Sequence, residues 1–273
     1  MNADDFGLSA GVNRGILEAH SAGVVSSVSV LVNLPAWEDA APRLGAAGPG
    51  LGVGLHLNLT AGKPLSRGGT LCDARTGGFH PLTALVVRAL AGRIDPADVA
   101  AECAAQVARL RGAGVAITHL DSHRHVHVLP GVWRAAVETA RRQGVPVVRV
   151  PLEPLGANPG NWPALVKKVA LAAAWRVASR GTPGAPAPRS ADRFFGISLQ
   201  GGAEFLPRLL ALLDRLEPGT TELVVHPGYP DGDLADWDRY VAPRAAELAA
   251  LTAPVVRERI RRGDFRLIHF GAL

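Results

Sequence analysis

Histidine and aspartate alternate through one short stretch of this chain. In Thr118-His119-Leu120-Asp121-Ser122-His123-Arg124-His125-Val126-His127, one or the other fills every second position from His119 to His127. In extended chain those side chains share one face. Burying four imidazoles and a carboxylate together is costly without a purpose. Divalent-metal binding is the chemistry that suits them, some members acting as ligands and others fixing imidazole tautomers. A solvated polar face is the plain alternative. Three smaller groups join this one. Asp4 and Asp5 sit in Asn2-Ala3-Asp4-Asp5-Phe6-Gly7, after a short strand and before the first helix. Adjacent carboxylates there are expected to point different ways, one at a metal and one at a substrate; negative charge favoured by a helix N-terminus is the other reading. His56 lies in the apolar run Gly54-Leu55-His56-Leu57-Asn58, either as a hydrogen-bonded core residue or where the neighbouring glycines admit a ligand or another backbone. His226 precedes Pro227-Gly228 at a strand end, facing the same mouth or simply filling a turn.

The elements that must carry these groups alternate. Strands are predicted over 24–32, 51–59, 115–119, 145–150, 221–226 and 265–270, each a β-branched or period-2 run bounded by Gly or Pro. Helices are predicted over 10–21, 37–44, 95–111, 130–144, 162–178, 204–216 and 239–262, the last broken at Pro254. Asp95-Pro96 reads as an N-cap with proline at the first helical position. Alternation of this kind favours a parallel sheet with right-handed crossovers. The expected fold is α/β: an irregular (β/α) barrel in one domain over 1–273, an open doubly wound sheet being second choice, with the site at the C-terminal strand ends. Residues 62–81 and 180–193 are predicted to be loop excursions.

Composition narrows the function. With 48% apolar and 19% charged residues the chain has material for a large core. Two cysteines, Cys72 and Cys103, exclude a disulfide scaffold and fit a reducing compartment, the cytoplasm. The net charge of +5 comes from scattered arginines with only three lysines, so no nucleic-acid partner is expected. No secretory leader and no membrane-spanning segment is read. Residues 164–179, apolar on one side and basic on the other, are taken as an ordinary packed helix rather than a membrane-surface one. H-E-x-x-H, G-x-S-x-G and P-loop patterns do not occur.

Taken together, Asn2–Gly7, Gly54-Leu55-His56 with Leu59-Thr60, Thr118–His127 and Thr221–Tyr229 resemble the YdjC-like carbohydrate deacetylases, in family order and over nearly the whole chain. The resemblance implies an irregular barrel distantly similar to NodB-type polysaccharide deacetylases, and removal of the N-acetyl group from an N-acetylglucosamine-containing oligosaccharide or glycolipid. It implies one divalent ion per chain, magnesium ahead of zinc, held by Asp5, His56 and His123. Asp4 matches the catalytic base and His226 is a candidate acid. His125, His127 and Asp121 are expected to orient ligands or face substrate. Arg149 is a candidate to orient Asp4 or touch substrate, an ordinary surface ion pair being the alternative. Family members carry several apolar residues before the first motif, whereas here Met1 precedes Asn2, so either the true start lies upstream or the first strand is cut short, and in the second case Asp4 and Asp5 are expected to be weakly anchored. Two other functions stand behind this one: a phosphoesterase, usually with two metals, and a non-catalytic sugar- or metal-binding module. A homo-oligomer is left open.

Overall fold

The first motif is itself a strand. In the computed structural model, which describes residues 1–157, 161–180, 188–201 and 204–273, β1 (Asn2–Phe6) pairs in parallel with β2 (Ser27–Val30) on one side and β7 (Thr221–Val225) on the other. Asp4 and Asp5 are therefore anchored at the centre of the sheet, and the expected weak anchoring is corrected. The remaining strands are β3 (Gly52–Leu57), β4 (Ile117–Ser122), β5 (Val147–Val148) and β6 (Arg193–Phe195). All pairings are parallel, in the order β5-β4-β3-β2-β1-β7-β6. The two edges approach each other: Val147 bridges Arg189, just ahead of β6, and the Val148 N–H donates to the Arg189 carbonyl at 2.9 Å. The sheet thus curls into an irregular seven-stranded α/β barrel.

The helices are α1 (Ala10–Ser21), α2 (Trp37–Ala46), α3 (Leu82–Leu90), α4 (Pro96–Gly112), α5 (Trp133–Arg142), α6 (Trp162–Arg180), α7 (Phe205–Leu213), α8 (Leu234–Trp237), α9 (Ala242–Thr252) and α10 (Pro254–Arg261). Their starts follow local chemistry. Ser9 caps α1 by accepting from the Val12 N–H, and Asp95 caps α4 by accepting from the Ala97 N–H. α9 and α10 divide at Pro254, as the sequence predicts.

Strands β1, β2 and β3 are buried along their whole length, as expected of a parallel sheet covered on both faces. The Val/Ser alternation of β2 separates two kinds of interior. Val28 and Val30 belong to the apolar core. Ser29 joins a buried polar network with Asn2, His119 and Asp121. A polar lumen, not solvent, receives the hydrophilic half of the period.

One expectation fails. Residues 265–269 form no strand, and Phe270–Ala272 is a 3-10 turn. β1 already has a neighbour on each side, so this segment is held by side chains instead: the Ser26 hydroxyl donates to the Ile268 carbonyl and the Phe270 N–H donates to Ser27 Oγ. The excursion at 62–81 is mainly loop, with a 3-10 turn at Gly69–Leu71 and an antiparallel bridge between Cys72 and Phe79. The buried Glu102 carboxylate fastens it by accepting from the Leu65 and Ser66 N–H groups. Of the excursion at 180–193, residues 181–187 lie outside the described residues.

Candidate active site

At Asp5 the strand breaks its alternation. Asp5 has φ 74°, a left-handed conformation that costs a non-glycine residue strain, and the β1–β2 register shifts between Ala3 and Phe6. Asp4 and Asp5 consequently converge instead of pointing apart: His56 Nε2 lies 3.3 Å from Asp5 Oδ1 and 3.9 Å from Asp4 Oδ2. This corrects the expectation from regular strand geometry.

The His/Asp run is likewise not extended throughout. β4 ends at Ser122, and His123–Val128 winds into a 3-10 segment with φ 58° at Arg124 and 57° at His125. Its members scatter to different duties. His123 Nδ1 lies 2.8 Å from Asp5 Oδ1, while its buried Nε2 has no hydrogen-bond partner among the described residues. Asp121 Oδ1 lies 2.8 Å from His56 Nδ1, which leaves His56 Nε2 for the Asp4–Asp5 side. His119 is sealed in the lumen beside Ser29 and Thr118 and stacks on Phe270. His127 spends both ring nitrogens internally, on Ser122 Oγ at 2.6 Å and the Arg149 carbonyl at 3.0 Å. His125 packs edge-on against Phe194 with its buried Nδ1 unpaired.

Gly54 is explained by the same crowding. A Cβ there would stand 2.3 Å from the His119 ring, so the glycine admits an imidazole, not a ligand or a backbone.

Arg149 is fully buried, which excludes a surface ion pair. Its Nη1 and Nη2 donate to Asp4 Oδ2 and Oδ1, both at 2.8 Å, Nη1 also pairs with Asp121 Oδ2 at 2.6 Å, and Nε donates to Glu222 Oε1 at 2.7 Å. Asn2 Nδ2 adds a bond to Asp4 Oδ1 at 2.7 Å. On the far side, Arg244 Nη2 donates to Asp5 Oδ2 at 2.6 Å and to Asp238 Oδ2 at 2.8 Å. His226, just beyond β7, is buried beside the Gln200 amide, and its backbone N–H donates to Glu247.

Charge follows this layout. Burial presses the His56 pKa down, but Asp121 and Asp4 more than reverse it and lift it to about 10. Burial pushes the Asp5 carboxyl up, yet Arg244 and His123 hold it well below its ordinary 3.8. Burial lowers His226 to about 4 and keeps it neutral. Burial raises Glu222 to about 7 against the pull of Arg149.

The residues present fit a divalent cation. Asp5, His56 and His123 each offer a donor atom within 4.8 Å of the others, and so do Asp4, His56 and Asp121. Two atoms bound to one tetrahedral ion at about 2.1 Å stand roughly 3.4 Å apart, close to the 3.3 Å between His56 Nε2 and Asp5 Oδ1. The unpaired His123 Nε2 and the Asp121–His56 pair are what a metal-binding imidazole set and its orienting carboxylate require. A cavity of about 610 Å³ lies at the opposite end of the strands, lined by Asn2, Ser27, Thr221, Glu222 and Phe265 among others, and meets the cluster only through Asn2 and Glu222.

Sequence reasoning missed Arg244, Asp238, Glu222, Gln200 and Ser29. All but Glu222 are common residue types outside any motif, with nothing in the sequence tying them to the site. Glu222 was the nearest to view, lying inside the quoted Thr221–Tyr229 segment.

Comparison with known proteins gives a consistent picture. Residues 1–262 match the model of a family described as YdjC-like protein. A carbohydrate deacetylase of Geobacillus stearothermophilus is 36% identical over 266 residues, covering 96% of this chain and 93% of that protein. A chitooligosaccharide deacetylase of Yersinia pestis is 33% identical over 276 residues, covering 99% and 96%. A solved protein from Enterococcus faecalis V583, provisionally described as a cellobiose-phosphate cleavage protein, superposes with a TM-score of 0.75 at 25% identity, covering 99% of this chain and 96% of its own.

Proposed function

The chain belongs to the YdjC-like family, and from that premise we propose that it is a metal-dependent carbohydrate N-deacetylase, hydrolysing the acetamide of an N-acetylglucosamine-containing oligosaccharide or glycolipid to acetate and a free amino sugar. The observation that carries the reading is the convergence of Asp5, His56 and His123 beside a second carboxylate, Asp4, that arginine holds in place.

Asp5, His56 and His123 would hold one divalent ion. Magnesium leads on the family pattern, while two imidazoles also suit zinc. When bound, the ion would polarise the acetamide carbonyl and make water a stronger nucleophile. Asp4 then accepts the proton of the attacking water. Arg149 and Asn2 fix its carboxylate, so little reorganisation accompanies that transfer. Water adds to the acetamide carbon, the C–N bond breaks, and the departing nitrogen gains a proton from His226. Burial keeps His226 neutral at rest, so the proton it hands on is the one Asp4 took from the attacking water, and both side chains return to their starting state. Asp121 keeps His56 oriented, and Arg244 does the same for Asp5.

The test is acetate release from N-acetylated sugars, with magnesium, zinc and chelator arms and the Asp4→Asn variant. Acetate release that requires metal and falls about 10²–10⁴-fold in Asp4→Asn, the range of a positioned base, with metal content retained, is expected. Full activity in Asp4→Asn removes Asp4 as the base. Phosphate release in place of acetate, with two metals per chain, replaces the reading altogether.

A further inference from the structure

α6 packs on the core through Leu171, Ala174 and Trp175, yet leaves a broad apolar face uncovered. Of its 19 residues only Ala164, Lys168 and Ala178 are buried. At about 100° per residue, Trp162, Val166, Val169, Ala173 and Val177 fall in one arc of roughly 80° on the side away from those three. That arc faces outward: Trp162 is 70% exposed, Val166 66%, Val169 50% and Val177 55%. A helix lying on a water-facing surface carries polar residues there, and a contiguous apolar face is the mark of an interaction site.

We propose that this face of α6 docks on an anionic lipid surface. Charge complementarity selects that occupant. Between Pro154 and Ala191 the basic residues are Lys167, Lys168, Arg176, Arg180 and Arg189, with no Asp or Glu among them. Arg176 and Arg180 are exposed and project from the C-terminal half of the apolar arc, where long stems can lie on an apolar surface while their charges reach lipid phosphates. α5 packs beside α6 through Trp133 and Trp175, edge to face at 4.5 Å, and adds exposed Arg134, Arg141 and Arg142. Lys168 is spent inside, donating to the carbonyls of Pro154, Leu155 and Ala157, and so pins Leu155, 51% exposed, beside the helix. No described helix is long and apolar enough to cross a membrane, so the contact is superficial. The site lies behind the helix, on the side opposite this face: Lys167, on the inward side of α6, donates to Gln200, which lies against His226. This inference does not rest on the identity of the acetylated substrate.

The experiment is co-sedimentation of the full chain with vesicles of phosphatidylcholine alone or mixed with phosphatidylglycerol, alongside sedimentation velocity without lipid. Wild type is expected to bind the mixed vesicles, more weakly in high salt, and at least tenfold less to phosphatidylcholine alone. Val166→Glu/Val177→Glu is expected to lose binding at least tenfold while its circular dichroism spectrum and its acetate release from a soluble sugar stay at wild-type levels. Arg176→Gln/Arg180→Gln is expected to lose the preference for phosphatidylglycerol. Absence of binding to either vesicle overturns the proposal, as does binding that all these variants retain. A wild-type dimer that Val166→Glu/Val177→Glu dissociates, without lipid binding, assigns the face to a second copy instead.

Discussion

Arg149 and Asp4, 145 positions apart, meet through two parallel hydrogen bonds of 2.8 Å, Nη1 to Oδ2 and Nη2 to Oδ1. A planar guanidinium matches a carboxylate in this way and an ammonium cannot. The same side chain binds Asp121 and Glu222, so one cation gathers three carboxylates from β1, β4 and β7. It thereby couples Asp4 to the Asp121–His56 pair, and a displacement of one is felt by the other.

Arg149→Lys should therefore impair catalysis without emptying the site. One ammonium cannot reproduce the fork to Asp4 while also reaching Asp121 and Glu222. Misplacement of a reacting group by about 1 Å can cost 10²-fold in rate, and a fall in kcat of about that size is expected. Breaking a buried pair costs roughly 3–5 kcal/mol, so the melting temperature should drop as well. Metal per chain, measured by elemental analysis, should stay near one. Unchanged kcat would mean that Arg149 does not position Asp4.

His56→Ala and His123→Ala should each lose the metal. Asp121→Asn is milder, since it leaves the ligand and removes only the carboxylate that orients it. Loss of such a partner costs about 10–100-fold in metal affinity. Titrations of the metal-stripped protein with zinc and with magnesium should rank the three variants in that order. Wild-type affinity in His123→Ala would refute the assigned ligand set.

Much of this was legible because the site is assembled from short motifs at strand ends, and strand ends are what hydrophobic runs announce. The family resemblance supplied Asp5, His56 and His123 as ligands. The backbone departures were hidden. Asp5 turns left-handed inside β1, and Arg124 and His125 turn left-handed after β4, so the period-2 arithmetic that placed five side chains on one face holds only as far as Asp121. Arg244 and Gln200 come from loops and helices with no pattern of their own, and only the closed barrel brings them in. The false strand over 265–270 shows the opposite error: β-branched and aromatic content was present, but β1 is already paired on both sides with β2 and β7.

Gly54→Ala should destabilise the fold through one contact. The added methyl would meet the His119 ring at 2.3 Å, and that ring is fixed by Ser29, Thr118 and Phe270. Overpacking of this kind costs about 1–3 kcal/mol, several degrees of melting temperature. His119→Ala in the same chain should recover part of the loss by making room. If the double variant melts no higher than Gly54→Ala, the ring is not what Gly54 accommodates.

Acid should weaken the protein through histidines that are buried neutral, and His127 is the clearest. Burial lowers its pKa from 6.5 to about 4, against the Arg149 carbonyl, which favours the proton. The unfolded chain takes up a proton on this imidazole near pH 6.5, whereas the folded chain resists until about pH 4. The resulting stability is complete above pH 6.5 and is lost as the pH falls from 6.5 through 4, to the extent of about 3 kcal/mol. His119, which burial lowers to about 3, adds a loss that continues to lower pH. His127→Gln keeps an amide able to donate to the Arg149 carbonyl but does not titrate. Its urea midpoint, followed by circular dichroism, should fall less steeply between pH 6.5 and 4 than that of wild type. An identical slope in the two proteins would show that the ring already carries its proton in the folded state.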